Sequence, residues 1–92
     1  MASDQLRSDL RKQFVEFLLV DAELGLTFAA LAQAPQRARE GSRKSYENAS
    51  KAYEVVNRLE QRVTLSEGEH QKLAAKMQRL KTILIALAEE LE

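Results

Sequence analysis

Hydrophobic positions recur along the chain at alternating intervals of three and four residues, in three successive segments. This spacing is typical of helices that pack in the manner of coiled coils. The segments cover about residues 4–33, 35–63 and 66–91. We therefore predict that residues 1–92 form one all-α domain, an antiparallel up-down-up three-helix bundle with left-handed, coiled-coil-like packing.

Local signals mark the ends of the predicted helices. Pro35 disfavours helix at the residue before it and suits the first position of the next helix. Ser66 and Glu69 have the spacing of a capping box, in which the serine accepts an amide of the first turn and the glutamate reaches back to the cap. The resulting connections are short, and short connections place successive helices side by side in opposite directions.

Each segment carries one stripe that we expect to face the core. The stripe of the first helix is Leu10, Phe14, Phe17, Asp21, Leu24, Phe28 and Leu31. The stripe of the second helix is Ser42, Ser45, Ala49, Ala52, Val56, Leu59 and Val63. The stripe of the third helix is His70, Leu73, Met77, Leu80, Leu84, Leu87 and Leu91. Small side chains on the second helix then lie opposite large ones on its neighbours, as close packing requires.

Asp21 is the one charged residue in these stripes. A buried carboxylate without a partner is too costly to stay charged, so it needs a partner, a proton or a place at the edge of the core. Tyr46 and Tyr53 lie one turn to either side of the position opposite Asp21, and Lys76 is a candidate cation. We predict that Asp21, Tyr46 and Tyr53 form a buried polar group that fixes the helix register. The alternatives are a ligand or partner contact and exposure to solvent.

A second apolar stripe on the first helix is the candidate interface. Its members are Val15, Leu19, Ala22, Leu26 and Ala29. Exposed apolar patches commonly mark binding surfaces. The stripe predicts a non-enzymatic interaction module that binds itself, as a homodimer, or docks a partner helix. A locally wide core is the alternative explanation.

Charge gives a further hypothesis. The 14 basic and 14 acidic residues balance to a net charge of zero, which counts against nucleic acid as a partner. A candidate basic patch nevertheless lies at the start of the second helix, at Arg37, Arg39, Arg43 and Lys44. It supports the alternative function of a small regulatory binder of nucleic acid or of an acidic partner. The competing explanation is a solvent-exposed face of the second helix on which these residues form ion pairs with neighbouring acidic residues.

The residues for catalysis or metal binding are scarce. Cysteine is absent, and His70 is the single histidine. Glu67 and His70 form half of a di-iron ligand set, but the second half and the further glutamates are missing. We therefore predict no catalytic residue, cofactor, metal or small-molecule substrate, and no enzyme activity. The lack of cysteine, of a signal pattern and of an uninterrupted apolar span predicts a cytoplasmic protein without a membrane partner.

Two stretches of the chain carry a resemblance to other proteins. Leu18–Phe28 reads LLVDAELGLTF, and Lys51–Val56 reads KAYEVV. Together they resemble a group of short, uncharacterised bacterial helical proteins. The likeness covers most of the chain and implies a bacterial helical protein, but it brings no activity, cofactor or site residue with it.

Overall fold

The computed structural model describes residues 2–34 and 39–91, with side chains from residue 4 onward. The elements are α1 (Ala2–Gln33), α2 (Arg39–Leu59), a 3₁₀ helix (Glu60–Arg62) and α3 (Glu67–Leu91). The described residues contain no strand, which confirms the prediction of an all-α protein with three helices. The predicted start of the second helix at Pro35 lies outside the described residues.

The capping box forms as predicted at the start of α3. The Ser66 hydroxyl accepts a hydrogen bond from the Glu69 amide at 3.2 Å, and the Ser66 amide donates to Glu69 Oε1 at 2.8 Å. The His70 amide donates to the Ser66 carbonyl at 2.8 Å, which closes the first turn. Side-chain caps satisfy amides that a helix start leaves without partners, so α3 begins where the sequence indicates.

The second helix ends earlier than the sequence predicts. Its last turn tightens into the 3₁₀ helix, and Val63 is extended, with φ −135° and ψ 143°. The stripe of α2 nevertheless lies where we expect it, with Ser42, Ser45, Ala49, Ala52 and Val56 buried. The stripe of α3 is also confirmed in its centre, at Leu73, Met77, Leu80, Leu84 and Leu87. His70, by contrast, is exposed at the start of that helix.

Every pair of helices is in contact, and two clusters of buried side chains make up the core. The first cluster contains Ala29, Ala32, Ala49, Leu80, Leu84 and Leu87. The second contains Leu18, Ala22, Val56, Leu73 and Met77. Half-buried Phe28 packs against the first cluster and half-buried Phe14 against the second. Each cluster takes residues from all three helices, so both parts of the core hold the whole bundle together.

The predicted core stripe of α1 is wrong. Leu10, Phe17, Leu24 and Leu31 are 40–56% exposed, and of the large apolar side chains of that stripe only Phe14 and Phe28 pack against the core. The buried positions are Val15, Leu18, Ala22, Gly25, Ala29 and Ala32, again at three-four spacing. These positions lie roughly a third of the helix circumference away from the predicted stripe, at 3.6 residues per turn.

Small side chains explain this choice of face. A Cβ atom built on Gly25 would lie 2.8 Å from Leu80 Cδ2 and 3.2 Å from the Cβ of Ala52. The backbone of α1 therefore approaches both neighbours closely at this point, and glycine leaves the room for it. Because leucines of α3 fill much of the shared core, the buried face of α1 is made mainly of alanine and glycine, with Val15 and Leu18 as its larger members.

Candidate protein interface on helix α1

The outstanding surface of the molecule is a row of exposed large apolar side chains on α1. We call it the exposed apolar face; its members are Leu6, Leu10, Phe17, Val20, Leu24 and Leu31. Their exposure runs from 40% for Leu31 to 67% for Val20. Together with Gln13 and Thr27 they follow an unbroken three-four spacing from Leu6 to Leu31, the pattern of a coiled-coil seam. Isolated exposed leucines are normal, but a continuous row of this length marks a binding surface.

The exposed apolar face lies on the longest helix of the molecule. With 32 residues, α1 is about 48 Å long, whereas the 25 residues of α3 span about 38 Å. Arg11 of α1 lies beside the turn between α2 and α3, since its guanidinium donates to the Thr64 carbonyl at 3.2 Å. The residues just before it still lie beside the 3₁₀ helix, because Arg7 and Arg62 line one groove. Leu6, one residue before Arg7, is 59% exposed.

One edge of the exposed apolar face borders α2 and is basic. Phe17, Asp21, Leu24 and Phe28 line a shallow groove with Asn48, Lys51, Ala52 and Val55 of α2. Further along, Arg7, Leu10 and Phe14 line a second groove with Arg62 at the end of the 3₁₀ helix. We call Arg7, Lys51 and Arg62 the basic edge. Asp21 is the one acidic residue lining these two grooves.

The opposite edge faces α3 and carries charges of both signs. Its carboxylates are Asp9, Glu16 and Glu23, spaced seven residues apart and all exposed. Glu16 lines a groove with Lys12 of α1 and Lys72 of α3, and Glu23 forms an ion pair with Lys76 of α3. The hydrogen bond from Lys76 and its charge lower the pKa of the Glu23 carboxyl below its ordinary value of 4.5.

The candidate interface drawn from the sequence is misplaced. Val15, Ala22 and Ala29 are 0–4% exposed within the bundle, and half-buried Leu19 and Leu26 pack against the two core clusters. That stripe therefore belongs mostly to the core of the molecule. The exposed surface is instead the exposed apolar face, of whose six members the sequence predicts Leu10, Phe17, Leu24 and Leu31 in the core. A signal for it was present, because Ala22, Gly25, Ala29 and Ala32 form a small-residue stripe suited to close helix packing.

The predicted buried polar group also does not form. Asp21 is half-buried in the groove beside α2, and no hydrogen bond or ion pair joins it to another described residue. Half-buried Tyr46 and Tyr53 line a different groove, between α2 and α3, together with Lys81 and Ile85. The reason is the rotation of α1, which moves Asp21 from the centre of the core to its edge. The buried polar side chains among the described residues are those of Ser42 and Ser45.

The candidate basic patch is largely engaged in holding the end of α3. The guanidinium groups of Arg39 and Arg43 donate to the Leu91 carbonyl at 3.3 Å and 2.9 Å. Cations are favourable at the carbonyl end of a helix, where acceptors lack partners within the helix. Lys44 is exposed, and Arg37 lies outside the described residues. This geometry assigns the two arginines a structural role.

Arg11 and Glu69 form the main polar link between α1 and the start of α3. The guanidinium donates to Glu69 Oε1 at 2.8 Å, the same carboxylate that caps α3. The hydrogen bond from Arg11, with those from the Ser66 amide and hydroxyl, lowers the pKa of Glu69 from 4.5 to about 2. The side chains are 35% and 25% exposed, so water screens part of this interaction.

Within the described ranges, no three histidine or carboxylate side chains come together in a way that would hold a metal ion. His70 is exposed at the start of α3, beside the capping box. No helix in the part of the chain that the structure describes is long and apolar enough to cross a membrane. Comparison with known proteins yields no matching family model, no matching curated protein and no matching solved structure.

Proposed function

We propose that this protein is a non-enzymatic self-association module, and that the exposed apolar face of α1 is its docking surface. The observation that carries the proposal is the row from Leu6 to Leu31, which presents a coiled-coil seam to water over about 38 Å. An apolar helix of another chain is the natural cover for such a seam. A second copy of this chain supplies that helix without any further component.

The free energy gained by covering the exposed apolar face is of the size expected for reversible association. The six side chains of the face are roughly half exposed, so covering each one gains about 1 kcal/mol. Two copies together gain about 12 kcal/mol, against a cost of association of about 4–15 kcal/mol. The net gain is then at most about 8 kcal/mol, which corresponds to a dissociation constant of about 1 μM or weaker.

The proposal also includes the directions of the three helices and the handedness of their packing. One core cluster joins Ala32, Ala49 and Leu87, and the other joins Leu18, Val56 and Leu73. From the second of these clusters to the first, the residue numbers rise along α1 and α3 and fall along α2. The contacts support an antiparallel, up-down-up arrangement. The three-four spacing of all three buried stripes supports left-handed, coiled-coil-like packing. A cytoplasmic location is part of the same proposal, and it rests on the absence of cysteine from the chain.

Sedimentation equilibrium tests the proposal directly. We expect the mass of the wild-type chain to rise towards that of a dimer between about 1 μM and 1 mM, in keeping with a dissociation constant of about 1 μM or weaker. Replacing Phe17 and Leu24 by glutamate should give a monomer, because the two carboxylates would have to be buried in the seam. Circular dichroism should show that helicity survives, since both side chains lie outside the core.

A matched control is available on α3. Ile85 is 56% exposed and lies in the groove beside Tyr46 and Tyr53, away from the exposed apolar face. Ile85→Lys should leave the dimer mass unchanged. A wild-type chain that stays monomeric up to millimolar concentration would refute self-association. A dimer that persists in the Phe17 and Leu24 variant would place the contact elsewhere on the molecule.

A further inference from the structure

We propose that the second copy docks over the border between α1 and α2, so that α2 forms part of the interface and α3 lies outside it. This inference rests on the proposed self-association and adds a second helix to the docking surface. It holds whether the two α1 helices run parallel or antiparallel, because α2 lies beside the same edge of the exposed apolar face in both cases.

The apolar surface of α1 continues onto α2. Phe17 and Leu24 are 50% and 46% exposed, and they line one groove with Val55 of α2. Leu10, at 56% exposure, lines the next groove with Val63, which follows the 3₁₀ helix. A copy that covers these side chains of α1 therefore also meets apolar side chains of α2 and of the segment after it.

Half-buried phenylalanines connect both grooves with the core. Phe28 lines the groove that contains Val55, and Phe14 lines the groove beside the 3₁₀ helix. Each ring also packs against one of the two core clusters. A copy docked over the grooves covers the outer part of both rings, and it brings α1 and α2 of the two chains into one four-helix arrangement.

The border between α1 and α3 differs in both respects. No member of the exposed apolar face lines the groove there. Glu16 shares that groove with Lys12 and Lys72, and Glu23 is paired with Lys76. Covering this border removes carboxylates and ammonium groups from water, which costs free energy even when they are paired. The second copy therefore gains more by covering the border with α2.

The charged residues beside α2 suit the rim of an interface. Arg7, Lys51 and Arg62 are long, exposed side chains, and their alkyl parts can cover apolar surface while the charged ends stay in water. Asp21 is shorter and half-buried, and it lines the same groove as Lys51. A docked copy that excludes water from this groove strengthens the attraction between these two side chains.

Cysteine protection maps the covered border, and a chain without native cysteine suits this method. Asn48 is exposed on the α2 side of the groove, and Lys72 is exposed on α3 at the opposite border. As the dimer forms between about 1 μM and 1 mM, we expect alkylation of Asn48→Cys by a maleimide to slow and that of Lys72→Cys to keep one rate constant. Protection of Lys72→Cys, or none of Asn48→Cys in a chain of dimer mass, would overturn the inference and leave self-association intact.

Val55→Lys tests how much α2 contributes to affinity. The lysine should weaken self-association about tenfold, because each copy loses an apolar contact and brings a further cation towards Lys51 and Arg62. Ser50→Lys is the matched control and should leave the affinity unchanged. Ser50 is also half-buried on α2, but it lines the groove between α2 and α3. Circular dichroism verifies that both variants keep their helicity.

The possible results separate this inference from the proposed function. An unchanged affinity in Val55→Lys, together with a monomer in the glutamate variant of Phe17 and Leu24, would confine the interface to α1 and overturn the inference alone. Equal weakening by Val55→Lys and Ser50→Lys would show a general effect of added charge and would also overturn it. A wild-type chain that stays monomeric up to millimolar concentration would overturn the proposed function, and the inference with it.

Discussion

Replacing Gly25 with alanine places a methyl group where α1 comes closest to both of its neighbours. The new Cβ would lie 2.8 Å from Leu80 Cδ2 and 3.2 Å from the Cβ of Ala52. The Leu80 methyl is the end of a flexible side chain and can move. The Ala52 Cβ is fixed to the backbone of α2, so that contact is relieved only if the two helices separate by a few tenths of an ångström.

Two opposing effects determine how much Gly25→Ala changes the free energy of unfolding. Alanine is better than glycine in a helix interior by about 1 kcal/mol. Overpacking a filled core costs about 1–3 kcal/mol. We therefore expect Gly25→Ala to destabilise the fold by up to about 2 kcal/mol, despite the gain in helix propensity. Gly68→Ala is the matched control, because nothing lies within 4 Å of a Cβ built there in the first turn of α3.

Thermal unfolding followed by circular dichroism measures the difference between the two variants. A gap of about 1–3 kcal/mol between them corresponds to roughly 5–20 °C in Tm for a chain of this size. Gly68→Ala should raise Tm, and Gly25→Ala should lower it or leave it unchanged. Combining Gly25→Ala with Leu80→Ala should cost less than the sum of the two changes, because the truncated side chain makes room. An equal rise of Tm in both alanine variants would refute the close approach of α1 at Gly25.

Two further predictions concern charged side chains. The pKa of Glu69 is lowered to about 2, so its carboxylate stabilises the fold above its ordinary pKa of 4.5, and this contribution is lost as the pH falls towards 2. The Tm advantage of wild type over Glu69→Gln should therefore shrink across that window, and an advantage independent of pH would contradict the ion pair with Arg11. Asp21→Leu should change the free energy of unfolding by no more than about 0.5 kcal/mol, because the side chain is half-buried and lacks a partner among the described residues. Loss of the folded state in a denaturant titration of that variant would restore Asp21 as a core residue that fixes the helix register.

The buried face of a helix is predicted correctly from the sequence where the helix has a single apolar stripe. On α2 and α3 the apolar positions occupy a single face, and the buried residues from Ser42 to Val56 and from Leu73 to Leu87 follow it. The capping box at Ser66 is equally local, since two side chains and two amides within four residues determine it. These features depend on short-range chemistry that a single chain segment contains.

The buried face of α1 could not be predicted from a single apolar stripe, because that helix has apolar residues around most of its circumference. A preference for the largest side chains selects Leu10, Phe17 and Leu24, which the structure leaves half exposed. The deciding factor is the volume of the partners. Leu73, Leu80 and Leu87 of α3 already fill much of the space between the helices, and the face of α1 that fits against them has mostly small residues, with Leu18 as the one fully buried leucine. The buried face of α1 therefore depends on the side-chain volumes of all three helices together, and the pattern of α1 alone does not determine it.

The two apolar faces of α1 therefore differ in the kind of contact that they make, within the chain and between chains. The inner face, with Ala22, Gly25 and Ala29, permits close approach of helices joined in one chain, where no association entropy is lost. The outer face must overcome that entropy, and large side chains gain the most free energy per residue when they are covered. The inner face also holds Leu18, but most of its residues are small, whereas the outer face has leucine, valine and phenylalanine. Apolar residues on two faces are the distribution expected of a helix that packs in two interfaces. The large side chains that stay at least 40% exposed on the outer face are consequently the strongest physical reason to seek a second chain.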